Sequence, residues 1–149
     1  LEENKKMKID DPEIGVCVVL PTYNTIEEVV AISRRNNVTQ WGLPGGKREE
    51  GETNLQAMLR EAKEELGLTL QAHLLQPIYS GWCYGKDGRN FWVTTYLYEG
   101  YGERLWEQAK AMEEGFEIQR VEMLTLCQDH FSPFAPYNQR VIAAWRSFK

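Results

Sequence analysis

The stretch Gly46–Leu68, GKREEGETNLQAMLREAKEELGL, decides how the rest of the chain is read. At about 100° per residue, Leu55, Met58, Leu59, Ala62 and Leu66 share one arc of a helix, and such an arc turns towards a core. Glu61, Glu64 and Glu65 occupy a second arc on roughly the opposite side. Spaced i, i+3 and i+4, these carboxylates repel one another by a few tenths of a kcal/mol per pair, so the face is either solvated or covered by a cation. Arg60 is directed away from Glu61, towards the side from which the preceding loop returns, where it can pair with Glu52. Thr53 followed by Gln56 matches a capping box and Gly67 suits the residue after the last turn, which predicts a helix over 54–66.

Ahead of this helix, Trp41-Gly-Leu-Pro-Gly-Gly46 predicts a sharp turn, because Gly45 and Gly46 can take positive φ and admit a close backbone approach. Glu13–Tyr23 and Glu28–Arg35 read as strands rich in Val and Ile, and a turn at Asn24–Thr25 would join them as a hairpin. Ser33, Arg34 and Arg35 end the second strand as a small basic cluster, either solvated or placed for phosphate contact. Beyond the helix, Ala72–Tyr84 and Asn90–Glu99 read as strands joined through the turn Gly85–Gly88. Their aromatics belong mainly to sheet packing, with Tyr84 and Trp92 as the candidates for a substrate pocket. Residues 103–112 suit a short helix, 116–123 a strand, and 136–148 a final helix whose Val141, Ile142, Trp145 and Phe148 form a core stripe. The order implies one mixed α/β domain over 1–149, helices packed on a sheet, with a polar lead-in over 1–11.

Composition bounds the function. The 149 residues are 42% hydrophobic and 26% charged, enough for one domain that buries about two-thirds of its unfolded surface. A formal net charge of -5 argues against broad nucleic-acid binding while leaving room for a local basic pocket. No run of about 18 apolar residues offers a membrane span, and the lead-in lacks the apolar centre of a signal peptide, so the expectation is a cytoplasmic protein. Cys17, Cys83 and Cys127 are scattered without metal-site spacing and read as reduced packing residues. His73 and His130 lie in unrelated segments and read as structural. The sequence sets no oligomeric state.

Three carboxylates on one helix face suit a hard divalent cation such as Mg²⁺, with Mn²⁺ as the other candidate. A backbone carbonyl of the Gly45–Gly46 turn can add a further oxygen. A metal held there withdraws charge from a phosphoryl group and lowers the pKa of an attacking water, chemistry that suits hydrolysis of a phosphoanhydride.

The pattern G-x5-E-x7-R-E-U-x-E-E-x-G-U, with U a small or branched apolar residue, is complete at Gly46, Glu52, Arg60, Glu61, Ala62, Glu64, Glu65, Gly67 and Leu68. Its chance probability at a given start is on the order of 10⁻¹⁰. It resembles the signature of the Nudix hydrolases, and WGLPGG is similar to that family's usual lead-in. The resemblance implies an α/β/α sandwich with a mixed β-sheet and cleavage of a nucleoside diphosphate linked to another group. It implies that Glu61, Glu64 and Glu65, with the Gly46 carbonyl, are metal ligands and that Glu52 and Arg60 are a structural pair. Glu61 is the first candidate for the general base, and Glu114, with Glu113 close behind, the candidate for a later acid. Arg34, Tyr84 and Trp92 are the candidate substrate contacts. The expected substrate is a nucleoside triphosphate, damaged or non-standard ones included. A dinucleoside polyphosphate is the alternative, through Tyr84 16 residues beyond the box; ADP-ribose, sugar nucleotides and capped RNA follow. A non-catalytic nucleotide-binding module would suit a degenerate box, and here every acidic position is present.

Overall fold

Alternation along EIGVCVV sets the layering of the molecule. In the first strand, β1 (Glu13–Val19), Val16 and Val18 face one buried cluster while Val19 faces another. The computed structural model describes residues 13–22, 27–85, 88–100 and 103–148. The lead-in, the Asn24–Thr25 turn and the centre of the Gly85–Gly88 turn lie outside the described residues.

The remaining strands are β2 (Glu28–Arg34), β3 (Asn37–Gly42), β4 (Gly45–Lys47), β5 (Leu75–Tyr84), β6 (Asn90–Tyr98) and β7 (Ile118–Glu122). A four-stranded mixed sheet has the order β4-β1-β6-β5, with β1 parallel to β6 and the other pairs antiparallel. An antiparallel three-stranded sheet has the order β3-β2-β7. Helix α1 (Asn54–Leu66) packs with Val16, Val18, Val30 and Tyr96 on one side. Helix α2 (Ala135–Phe148) packs with Val19, Val29, Trp41 and Leu97 on the other. The result is the expected α/β arrangement with a mixed sheet between two helices. No helix among the described residues is long and apolar enough to cross a membrane.

Helix α1 has the predicted limits because both caps form. Thr53 Oγ1 accepts from the Gln56 amide at 3.1 Å, and Gln56 Oε1 accepts from the Thr53 amide at 2.9 Å. Gly67 closes the helix at φ 69°, and its amide donates back to the last turn. Ala57, Met58, Ala62 and Leu66 are buried, with Leu55 and Leu59 packed at the margin.

Other sequence expectations are corrected. β1 and β2 belong to different sheets, and among the described residues the expected hairpin is confined to their ends, where Pro21 bridges Val29 and the Thr22 and Val30 amides donate to the Glu28 and Leu20 carbonyls at 3.0 and 3.1 Å. A further hairpin, β2–β3, was not expected, and Asn36 at φ 55° supplies the left-handed turn residue between its strands. The segment read as one sharp turn holds the end of β3 and the start of β4, and neither Gly45 nor Gly46 has positive φ. Both glycines serve close approach alone. A Cβ on Gly45 would stand 2.0 Å from the Val16 carbonyl oxygen, and one on Gly46 would stand 2.5 Å from the Glu61 carboxyl carbon. In place of the short helix over 103–112, Leu105–Glu107 makes one 3₁₀ turn. Phe148 is 45% exposed and leaves the core stripe, which ends at Trp145.

Gly45→Ala should therefore cost more stability than Gly51→Ala, although only Gly51 has positive φ (86°) and it has open space around it. Overpacking against backbone costs about 1–3 kcal/mol or more, against about 1 kcal/mol for an unobstructed left-handed residue, and urea denaturation of the two variants reads the difference.

Candidate active site

The α1 capping that fixes its first turn also fixes where its acids point. Glu65, on the side of α1 next to β4, accepts from the Gly45 amide at 2.7 Å. Glu61 stands one turn earlier with its carboxylate against Gly46, in the space a side chain at 46 would fill. Glu64 lies at the margin, 51% exposed, whereas Glu61 is 13% exposed.

Arg60 covers these acids. Its Nε and Nη2 donate to the Glu52 carboxylate at 2.7 and 2.9 Å, and Nη2 also donates to the Lys47 carbonyl at 3.0 Å. Its Nη1 donates to Glu61 at 2.8 Å and to Glu64 at 3.0 Å. The expected Glu52–Arg60 pair is present, but the guanidinium also reaches back across the acid face. Among the described residues, no three Asp, Glu, His or Cys side chains stand together as a ready cation cage. Glu61 and Glu64 are turned to Arg60, and Glu65 to a backbone amide.

The charges respond accordingly. Hydrogen bonds from Arg60 hold the Glu52 carboxyl down at about 2. Burial pushes Glu61 up despite Arg60. Burial, then the Glu61 charge, push Glu65 up to about 8 against the pull of the Gly45 amide. Hard oxygen donors beside a backbone carbonyl have the chemistry to hold a divalent cation.

The segment after the 3₁₀ turn is tied to the C-terminal turn of α1, where the Lys110 and Met112 amides donate to the Leu66 and Glu65 carbonyls at 3.1 Å each. It brings Glu113 close enough for its charge to raise both Glu61 and Glu65. Glu113 and Glu114 are both exposed, and Glu114, the residue favoured from sequence, is not among the main causes of either shift.

A cleft of about 940 Å³ opens between the sheets, reaching from Glu65, Gly45 and Gly46 to Arg34 and Arg35. Arg34 lies over the Phe134 ring at 5.3 Å and Arg35 over Phe116 at 6.0 Å. Phe91, Val93 and Cys83 line the cleft, so the residues alternating with them point to the other face of the sheet. Tyr84 and Trp92 are among those. They are exposed there with Trp82, which stacks on Tyr84 and meets Trp92 edge to face. The three candidate substrate contacts are thus not brought together: Arg34 lines the cleft, and Tyr84 and Trp92 do not.

Asn138 is a cleft residue that sequence reasoning missed. It is buried, and its Nδ2 donates to the Leu126 carbonyl at 2.8 Å, which fixes the carboxamide and leaves Oδ1 as an acceptor. The signal was a polar residue in phase with Val141, Ile142 and Trp145 on the buried stripe of α2.

A mixed sheet lies between two helices, with acids of one helix pressed on a glycine strand. The NUDIX domain model matches residues 12–145, and the chain belongs to the Nudix hydrolase family. It is 30% identical over 93 residues to the RNA pyrophosphohydrolase of Helicobacter pylori (strain P12), covering 62% of this chain and 59% of that relative. The chain thus spans about three-fifths of the length of that curated relative. The MutT protein structure from Methanosarcina mazei Go1 is similar at a TM-score of 0.69 and 21% identity, over 94% of this chain and 98% of that one. A structure from work on MutT of Aliivibrio salmonicida and Vibrio cholerae is similar at a TM-score of 0.65 and 24% identity, over 89% and 98%. These structural likenesses show the fold.

Glu65 generates a pH prediction for the metal-free protein. Its folded pKa, about 8, lies above the ordinary 4.5, so its contribution to stability is fully present below about 4.5 and is lost as pH rises towards 8. In chelator, the difference in melting temperature between wild type and Glu65→Gln should shift in favour of the variant across that window. A pH-independent difference would contradict the protonated state.

Proposed function

We propose that the chain is a divalent-metal-dependent pyrophosphohydrolase that cleaves a phosphoanhydride of a nucleoside triphosphate, including damaged or non-standard ones, by water attack at phosphorus. The observation that carries this reading is a cleft that joins Glu65 and Gly46, against which Glu61 lies, to a basic and aromatic wall at Arg34, Arg35, Phe116 and Phe134. One end suits a metal and the other a phosphorylated, ring-bearing ligand.

Glu61, Glu64, Glu65 and the Gly46 carbonyl would hold Mg²⁺ or Mn²⁺. A bound cation supplies charge withdrawal from the phosphoryl oxygens and an acidified water. Glu61, whose burial raises its proton affinity, accepts the water proton as the water oxygen bonds to phosphorus. The bond from that phosphorus to the leaving pyrophosphate breaks, giving a nucleoside monophosphate and pyrophosphate. Glu113, whose charge reaches the same acids, stands with Glu114 as a second candidate base. Arg34 and Arg35 offset phosphate charge, and Asn138 Oδ1 faces the nucleobase as an acceptor. Glu52 and Arg60 hold the loop 47–52 on α1.

A second reading takes the 5′-triphosphate end of RNA as substrate. The Helicobacter relative named an RNA pyrophosphohydrolase favours it, and the chemistry is shared. The dinucleoside polyphosphate alternative relies on Tyr84, which is outside the cleft and lends it no support.

A panel of nucleoside triphosphates, dinucleoside polyphosphates, ADP-ribose, sugar nucleotides and triphosphorylated RNA, assayed with Mg²⁺, separates these. Release of pyrophosphate from the free triphosphate supports the first reading, preference for the RNA supports the second, and activity confined to ADP-ribose or sugar nucleotides contradicts both. Glu64→Gln should lower turnover by about a hundredfold or more. Its melting temperature should barely move, because a half-exposed ion pair contributes only about 0–1 kcal/mol. Asn138→Ala should raise KM severalfold with kcat largely kept, and an unchanged KM would remove Asn138 from base recognition.

A further inference from the structure

The five N–H groups of Arg60 are divided between two tasks. One edge of the guanidinium, Nε and Nη2, is locked to Glu52 and to the Lys47 carbonyl. The remaining nitrogen, Nη1, sits between Glu61 and Glu64, two of the acids assigned above to the metal. Glu49 lies at 3.7 Å from the same nitrogen and is solvated at 67% exposure. The side chain is 21% exposed and the acids are crowded, and Nη1 is the counter-charge in direct contact with Glu61 and Glu64 among the described residues.

We infer that Arg60 is a placeholder cation: in the metal-free protein Nη1 occupies the acid face, and a divalent ion can bind only as Nη1 gives up Glu61 and Glu64. The inference rests on the metal-site reading of those two acids. Glu52 has a corresponding part as a positioning residue. Its carboxylate keeps the other edge of the guanidinium engaged, so that release of Nη1 leaves Arg60 anchored rather than free to swing fully over the acids. The planar fork makes this division possible, and a lysine ammonium, a point donor, cannot reproduce it. The same residue that stabilises the metal-free fold therefore lowers metal affinity, and the two effects are separable by substitution.

The test measures Mn²⁺ binding by the free-ion electron paramagnetic resonance signal, together with melting temperature, without substrate. Relative to wild type, Arg60→Gln should melt lower without metal yet bind Mn²⁺ about tenfold tighter, the equivalent of one charge-assisted hydrogen bond relinquished. Glu52→Gln should bind Mn²⁺ more weakly, because the released guanidinium settles on Glu61 and Glu64. Both effects should persist in 1 M KCl, where the Debye length is about 3 Å, and Arg48→Gln, which removes the same charge nearby, should leave affinity within about twofold. Weaker or unchanged Mn²⁺ binding by Arg60→Gln overturns the placeholder role, and so does loss of the effect in salt or an equal effect of Arg48→Gln. If Arg60→Gln does not fold, the wild type decides through its arginine side-chain ¹⁵N signals. On Mg²⁺ titration the Arg60 Nη resonances should move while Nε stays protected, and unmoved Nη resonances with the metal bound overturn the inference. Absence of Mn²⁺ binding by wild type would instead overturn the metal-site reading itself.

Discussion

A side chain at position 45 would run into the backbone of β1, and one at position 46 would displace the Glu61 carboxylate. Position 45 abuts the Val16 carbonyl and Cys17 in β1, and position 46 abuts the Glu61 carboxylate on α1. This double approach lets β4 pair with β1 while α1 lies directly over the same strand. It also sets the Gly45 amide within 2.7 Å of Glu65 and lets Glu61 lie against Gly46, so one backbone segment organises two of the three acids. Remove the approach and both the edge of the mixed sheet and the acid face lose their common reference.

Electrostatics follow from this placement. An acid face held against backbone is poorly hydrated, and its like charges raise the proton affinity of Glu61 and Glu65. Arg60 is the chain's own answer, since it satisfies Glu52 fully while touching Glu61 and Glu64. The network ties the loop 47–52 to α1 and balances a face that a divalent ion would otherwise neutralise. Under the proposed metal reading, stability and readiness for metal draw on the same guanidinium.

Much of this was legible in sequence because the signals were local. Helix α1 followed from its caps and its buried arc, and the Glu52–Arg60 pair from helix geometry, which turns Arg60 towards the returning loop. What was not legible depended on distant partners. β3 and β4 are short and carry Asn37, Gly42, Gly45 and Gly46, residues with little strand signature, and they are strands because β2 and β1 complete their hydrogen bonding. Tyr84 and Trp92 could not be assigned to a face until the β5–β6 register was known, since a one-residue shift exchanges cleft for solvent. The approach of Glu113 to the acid face depends on a loop tied to α1 by backbone hydrogen bonds, which no periodicity encodes. Asn138 carried a readable sign, a polar residue on an apolar stripe, which reading the stripe as core alone passed over.

The central claim is that the acids of α1, together with the glycine strand, form a metal-holding face at one end of a nucleotide cleft. Anomalous scattering from a crystal soaked with Mn²⁺ and a non-hydrolysable nucleoside triphosphate analogue tests it most directly. The expected result is a manganese peak bounded by Glu61, Glu64, Glu65 and the Gly46 carbonyl, with the phosphates reaching it from the cleft lined by Arg34 and Asn138. A manganese peak elsewhere, or a nucleotide seated on the Trp82–Tyr84–Trp92 face, would contradict it.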